Sequence, residues 1–254
     1  MRHALQAVGR RLPHGWGDFG LQLAIWLGFA LGYQVARGLA DRGAAEALGN
    51  AERIMDLERS LVGLFELDVQ RLATDAGQTI VHAANWTYWL SQFAVLAAAL
   101  LWVYLRRNEA YIPLRNTLIV TNTIGLVGYV LLPTAPPRMF PELGFLDTLA
   151  SSESLNHGSG VVELASNQYA AMPSLHAADA LIIGVALALV IRNPLLKAVA
   201  LLFPVWVWFS LMATGNHFWL DIVAGIALAA VGAAVVLGRR TGRGLAARAP
   251  QPQL

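Results

Sequence analysis

Six stretches of this chain stay apolar, and nearly free of charge, for long enough to cross a lipid bilayer. Spanning a hydrocarbon core of roughly 30 Å takes about 20 residues at 1.5 Å each. The segments Phe19–Ala36, Ala84–Leu105, Leu114–Leu132, Leu175–Ile191, Leu195–Ala213 and Phe218–Leu237 meet that demand. Of the 254 residues only 13% are charged, about half the share of a soluble domain, and 56% are hydrophobic. An all-α, polytopic bundle of six transmembrane helices follows, forming one membrane domain over residues 1–240 with a disordered cytoplasmic tail at 241–254. Arg10 and Arg11 precede the first apolar run as they would in a signal peptide. No small-residue cleavage site follows, so the run reads as a retained anchor.

Basic residues orient the bundle, because loops rich in Arg and Lys stay in the cytoplasm. Arg2, Arg10 and Arg11 precede the first segment, and Arg106, Arg107 and Arg115 lie between the second and third. Arg192 and Lys197 lie between the fourth and fifth, and Arg239, Arg240, Arg243 and Arg248 follow the sixth. Both termini of this cell-membrane protein are therefore expected in the cytoplasm, and the loop 133–173, with Arg138 as its single basic residue, on the extracytoplasmic side. Lys197 is the only lysine against 17 arginines, a bias that with the abundant alanine suggests a bacterial source. Between the first two segments, Ile54, Leu57, Leu61, Leu64 and Phe65 recur at helical spacing with Glu52, Asp56, Arg59 and Glu66 among them. This is the pattern of an amphipathic helix at the outer interface, or of one packed back on the bundle.

Chemistry-bearing residues gather at the outer ends of the fourth and sixth segments. Pro173 and Ser174 suit a helix start, where free backbone amides and the helix dipole make a seat for phosphate, with His176 in the first turn. His217 and Asp221 are four apart, so on a helix they share a face, and a carboxylate holding one ring nitrogen leaves the other as a nucleophile. Asp179 either sets the proton state of His176 or bridges helices; Asn122, with Thr121 and Thr123, reads as interhelical glue. His82, Asn85, Asn156 and His157 have no evident partner. The chain has no cysteine, which removes thiolate chemistry, and the His217–Asp221 pair lacks a third ligand, so neither metal nor cofactor is expected. No basic stripe with interleaved aromatics suggests nucleic acid.

Met172-Pro-Ser-Leu-His176 and His217-x-x-x-Asp221-x-x-x-Gly225 resemble the second and third motifs of the type 2 phosphatidic acid phosphatase superfamily. The Ser-Leu-His form, and the stretch Leu57-Glu-Arg-Ser-Leu-Val-Gly-Leu-Phe-Glu66, are closer to the inositol phosphorylceramide synthase (inositolphosphotransferase) branch and its bacterial relatives. The resemblance implies His217 as a nucleophile forming a phosphohistidine, Asp221 as its orienter and His176 as acid and base. Arg138 and Ser174 would hold the phosphoryl oxygens, with Asp179, Ser210 and Asn216 in support. Two expected cations are missing: Leu131 stands at the lysine position of the first motif, where Met139 also replaces a proline, and Leu211 follows Ser210 in place of an arginine. The substrate is then a lipid phosphate or a phosphodiester lipid drawn from the surrounding membrane lipids, with water or an alcohol as acceptor. A single arginine tilts the expectation towards the diester, because each uncompensated charge in a low-dielectric site costs several kcal/mol. The missing cations also leave room for a weakened relative that binds or transports lipid phosphates.

Overall fold

The structure, a computed structural model, describes residues 12–39, 43–150 and 168–246. It is all-α. Among the described residues eight α-helices follow in order: α1 (Gly15–Leu39), α2 (Ala44–Leu61), α3 (Glu66–Asp75), α4 (Gln78–Arg106), α5 (Asn108–Leu131), α6 (Leu175–Val190), α7 (Pro194–Ala213) and α8 (Trp219–Ala246). Each of the six apolar segments falls on a helix. By length and hydropathy, α4, α7 and residues Trp219–Gly238 of α8 can cross a membrane, while α6 is apolar but shorter, at 16 residues. The chain is a membrane protein with several apolar helices, which explains why large aliphatic side chains such as Leu27, Leu31, Leu189 and Leu202 lie exposed. Helix α8 continues through Ala246, six residues past the boundary drawn from sequence, and residues 247–254 lie outside the described residues.

Helix α6 is the hub. It packs on α7, α8 and α5, and small residues along it, Ala177, Ala178 and Ala180, are fully or nearly buried and let neighbours come close. Gly225 of α8 makes the tightest approach to main chain: a Cβ there would collide with the carbonyl oxygen of Ser174. Asn193 starts α7 by accepting the amides of Leu195 and Leu196, with Pro194 at the first helical position, where its missing N–H costs nothing. Within α4 the Ser91–Val95 turn is π-helical, a local widening that often marks functional sites.

The amphipathic stretch forms two helices rather than one, and its buried face differs from the expected stripe. Glycine-63, at φ 90°, breaks it. Helix α2 buries Ala47, Ala51, Ile54 and Met55 against Phe140, Phe145 and Phe218, so it packs back on the bundle. Leu57 and Leu61 are exposed, whereas Glu58 and Glu66 have no exposure at all. Periodicity placed Glu66 on the wet side; the fold buries it instead.

After α5 the chain makes a parallel bridge between Thr134 and Ala170. The Thr134 amide donates to Tyr169 O and the Ala171 amide to Thr134 O. Side chains of the neighbouring helices tie down the rest of this segment. Asn50 donates to Pro133 O, Gln70 exchanges bonds with Leu146, and Asn85 exchanges bonds with Thr148. Asn156 and His157 lie outside the described residues.

Candidate active site

His217 does not sit on a helix. It lies in the short connection before α8, and Asp221 occupies the first turn of that helix. Their shared face was an argument from helical spacing; what joins them is a cap. Asp221 Oδ2 accepts the Phe218 amide at 2.8 Å, turning the chain so that His217 Nδ1 lies 3.5 Å from the same oxygen. A nearer acceptor is the carbonyl oxygen of Ala171, 2.9 Å from Nδ1. A carbonyl only accepts, so Nδ1 carries the proton and Nε2 keeps a free lone pair. His217 is 4% exposed and Asp221 fully buried, with Asp221 Oδ1 making no hydrogen bond.

His176 stands in the first turn of α6, as expected. Its ring stacks on Tyr88 of α4 at 4.5 Å and lies 5.9 Å from the ring of His217, measured between centroids. Ser174 caps α6, its Oγ accepting the Ala177 amide at 3.3 Å, which leaves the hydroxyl proton free to donate. The Ser174 amide donates to the Asp221 backbone carbonyl at 2.9 Å, so the two histidine-bearing elements are joined through main chain.

Arg138 arrives from the segment after α5. Its side chain is 8% exposed; Nη1 donates to Asn216 Oδ1 at 2.7 Å, and Nε lies 3.6 Å from Asp147 Oδ2. Burial pulls its guanidinium below its usual value, while Asp147 favours the charged form. Asn216 in turn donates to the Thr214 hydroxyl at 2.8 Å, and the Arg138 amide donates to Gly215 O. The expected phosphate clamp is thus held beside the nucleophile candidate by its immediate neighbour. Gly215, at φ 69°, has Leu146 O and the Arg138 Cβ against it, leaving no room for a side chain.

Two supporting candidates are engaged by partners of their own. Asp179 accepts from Asn122 at 2.7 Å and from Gln92 at 3.2 Å, forming a polar link among α4, α5 and α6. Asn122, read as glue, is one of its partners. Ser210 donates to Trp206 O within α7, a back-bond on its own helix. Leu211, at the missing arginine position, is fully buried in an apolar cluster with Ala177, Val207 and Ile222, whereas Leu131, at the missing lysine position, is 72% exposed.

Sequence reasoning missed Ala171, Asp147 and Tyr88. Ala171 acts through its carbonyl, and no side chain advertises that. Asp147 carried a signal, as an acid in the loop that holds Arg138. Both histidines line a cavity of about 260 Å³ that reaches inward past Trp26, Tyr33, Trp89 and Phe93 to Asp179. Among the described residues no three His, Asp or Glu side chains gather as a metal cluster.

Residues 52–235 match the family model of the PAP2 superfamily. The chain belongs to that superfamily. Among solved structures, it is similar to LpxE of Aquifex aeolicus, with 19% identity, a TM-score of 0.51, and coverage of 68% of this chain and 94% of that one. At that identity the likeness speaks for the fold. No curated protein sequence matches the chain.

Proposed function

We propose that this PAP2-superfamily membrane protein cleaves lipid-linked phosphate esters through a covalent phosphohistidine on His217. The arrangement of His217 carries this reading: Nδ1 is tied to Ala171 O and lies near Asp221, which leaves Nε2 free, and the His176 ring is 5.9 Å away on the wall of a shared cavity. Nε2 attacks phosphorus while the bond to the leaving oxygen breaks, and protonated His176 passes its proton to that oxygen. The positive charge gained by the phosphorylated His217 ring is met by Asp221 and Ala171 O. Neutral His176 then takes a proton from water or an alcohol as that oxygen attacks phosphorus, and the His217–phosphorus bond breaks.

Arg138, the Ser174 hydroxyl and the free amides of α6 supply the charge stabilisation that phosphoryl transfer needs. These donors make a metal unnecessary. The aromatic cavity beside the histidines suits the chain of a lipid phosphate, and the positive-inside pattern supports a site on the extracytoplasmic face of a six-span bundle with both termini in the cytoplasm.

The finer reading is a phosphotransferase of the inositolphosphotransferase type that acts on a phosphodiester lipid. The single guanidinium supports it: Leu211 is sealed in an apolar cluster and Leu131 carries no charge, so Arg138 faces the phosphoryl group without a second motif cation.

The test is to trap the intermediate. Purified protein given a radiolabelled lipid phosphate and quenched in alkali should retain label, and His217→Ala should not. Label that survives in His217→Ala, or activity that vanishes with chelator and returns with a divalent ion, refutes the mechanism. Absence of label together with tight lipid binding would point to a binding or transport protein.

A further inference from the structure

Two glutamates lie where carboxylates are costly. Glu58 on α2 and Glu66 at the start of α3 both have zero exposure. One Glu58 oxygen, Oε1, accepts the Leu220 amide at 2.9 Å. Glu58 Oε2 and both Glu66 side-chain oxygens make no hydrogen bond. The same segments contribute Ile54, Met55, Leu64, Leu67 and Leu220 to an apolar cluster with Phe218, and Phe65 and Trp219, the chain neighbours of Glu66 and Leu220, stack with ring centroids 5.8 Å apart. An isolated buried carboxylate costs several kcal/mol unless it is neutralised or bonded. Two bare carboxylates here would leave three acceptors unsatisfied and repel each other.

We infer that Glu58 and Glu66 share one proton and clamp the N-terminus of α8, making them positioning residues for Asp221 and His217. The inference rests on the reading of those two residues as the chemical centre. A carboxyl–carboxylate pair with one proton satisfies an oxygen on each partner while carrying one charge. Leu220 is the second residue of α8, and the residue after it is Asp221, whose side chain caps the same helix end through the Phe218 amide. The two caps divide the free amides: Glu58 takes Leu220, Asp221 takes Phe218, and His217 hangs from the capped end. A second charge on the pair would sit beside Asp221 and raise the cost of its carboxylate.

The charged groups acting on the pair among the described residues are Asp221 on α8 and Asp68 on α3, both acidic. Burial, first, and the neighbouring carboxyl push Glu58 up to about 9. Burial, first, pushes Glu66 up to about 7, and the nearby carboxylates of Asp221 and Asp68 push in the same direction. Both shifts are upward. The stabilisation is therefore complete below the ordinary carboxyl value of 4.5, declines as pH rises, and is gone above about 9.

The experiment compares wild type, Glu66→Gln, Glu58→Gln and Glu58→Leu in detergent, by thermal unfolding across pH and by infrared spectroscopy of protonated carboxyls. Wild type should lose thermal stability as pH climbs through this window and show a protonated carboxyl band at neutral pH. Glu66→Gln should flatten that slope and weaken the band, because its amide donates to Glu58 without titrating. Neither readout needs an active enzyme, so failure here is separate from failure of the phosphatase reading. For positioning, Glu58→Leu should lower kcat on an aryl phosphate about 10²-fold with little change in KM. Glu58→Gln, which still offers an oxygen to Leu220, should restore most of it. Identical pH slopes in wild type and Glu66→Gln overturn the shared proton. Equal kcat losses in Glu58→Gln and Glu58→Leu, with both proteins folded, overturn the clamp.

Discussion

The carbonyl oxygen of Ala171 lies 2.9 Å from His217 Nδ1, nearer than the carboxylate of Asp221 at 3.5 Å. A backbone group therefore holds the ring tautomer, and the carboxylate is left to balance charge. This division changes what removal of the carboxylate should do. Where an Asp alone fixes a catalytic imidazole, its Asn variant loses about 10⁴-fold in kcat, largely through the wrong tautomer. Here Asp221→Asn keeps Ala171 O in place, so the expected loss is about 10²-fold. Single-turnover rates of phosphohistidine formation would read it; a loss as large as that of His217→Ala contradicts the assigned roles.

The second histidine should matter in proportion to the leaving group. His176 donates a proton that a lipid alkoxide needs and an aryl oxide does not. His176→Ala should slow turnover of a lipid phosphate by about 10²–10⁴-fold while sparing an aryl phosphate. Steady-state kinetics on the two substrates decide it, and equal losses on both would reverse the assignment.

Arg138 is buried and anchored on both sides, by Asn216 and Asp147. Arg138→Gln should cost about 10²–10³-fold in kcat, the typical loss when one donor to a developing anion is removed. Leu131→Lys tests the charge argument from the other direction. Its side chain is 72% exposed, so the substitution disturbs no core. It should raise monoester turnover relative to diester turnover, as measured by the ratio of kcat/KM. An unchanged ratio would remove the support for a diester preference.

Gly225→Ala should destabilise the protein by about 1–3 kcal/mol, the usual cost of overpacking. Its methyl group would run into Ser174 O, a backbone atom that cannot swing aside. Thermal unfolding measures the loss, and Gly238→Ala, where a Cβ meets nothing, is the control.

Membrane orientation is open to single-cysteine labelling, because the chain has none of its own. A cysteine at exposed Glu142 should react with an impermeant reagent in intact cells, and one at Thr241 should be protected. The opposite pattern inverts the topology.

Much of this protein is legible in its sequence because lipid imposes a strong rule: long uncharged runs become helices. All six apolar segments lie on helices, and the Ser174 cap and His176 fall where capping preferences put them, with Pro173 one residue before the cap rather than at the first helical position. Reasoning from period failed at His217 and at Glu66. A spacing of four suits a helix face, but a capping turn also brings such residues together, as Asp221 does through Phe218. Alternation of polar and apolar residues assumes that acids seek water, and Glu58 and Glu66 break that assumption with a local pairing no linear pattern reveals. The role of Ala171 was out of reach for a simpler reason, since every residue has a carbonyl group.

The main-chain bond from Ser174 to Asp221, together with the close approach at Gly225, has a consequence for how such a protein can diverge. The separation of the two histidines is set by peptide groups, which stay the same whatever side chains surround them. The aromatic walls of the neighbouring cavity come from α1, α4 and α5, outside that linkage. Mutation can then reshape the walls to admit a different lipid without detuning the reaction, so that ligand preference drifts while the chemical step is inherited intact.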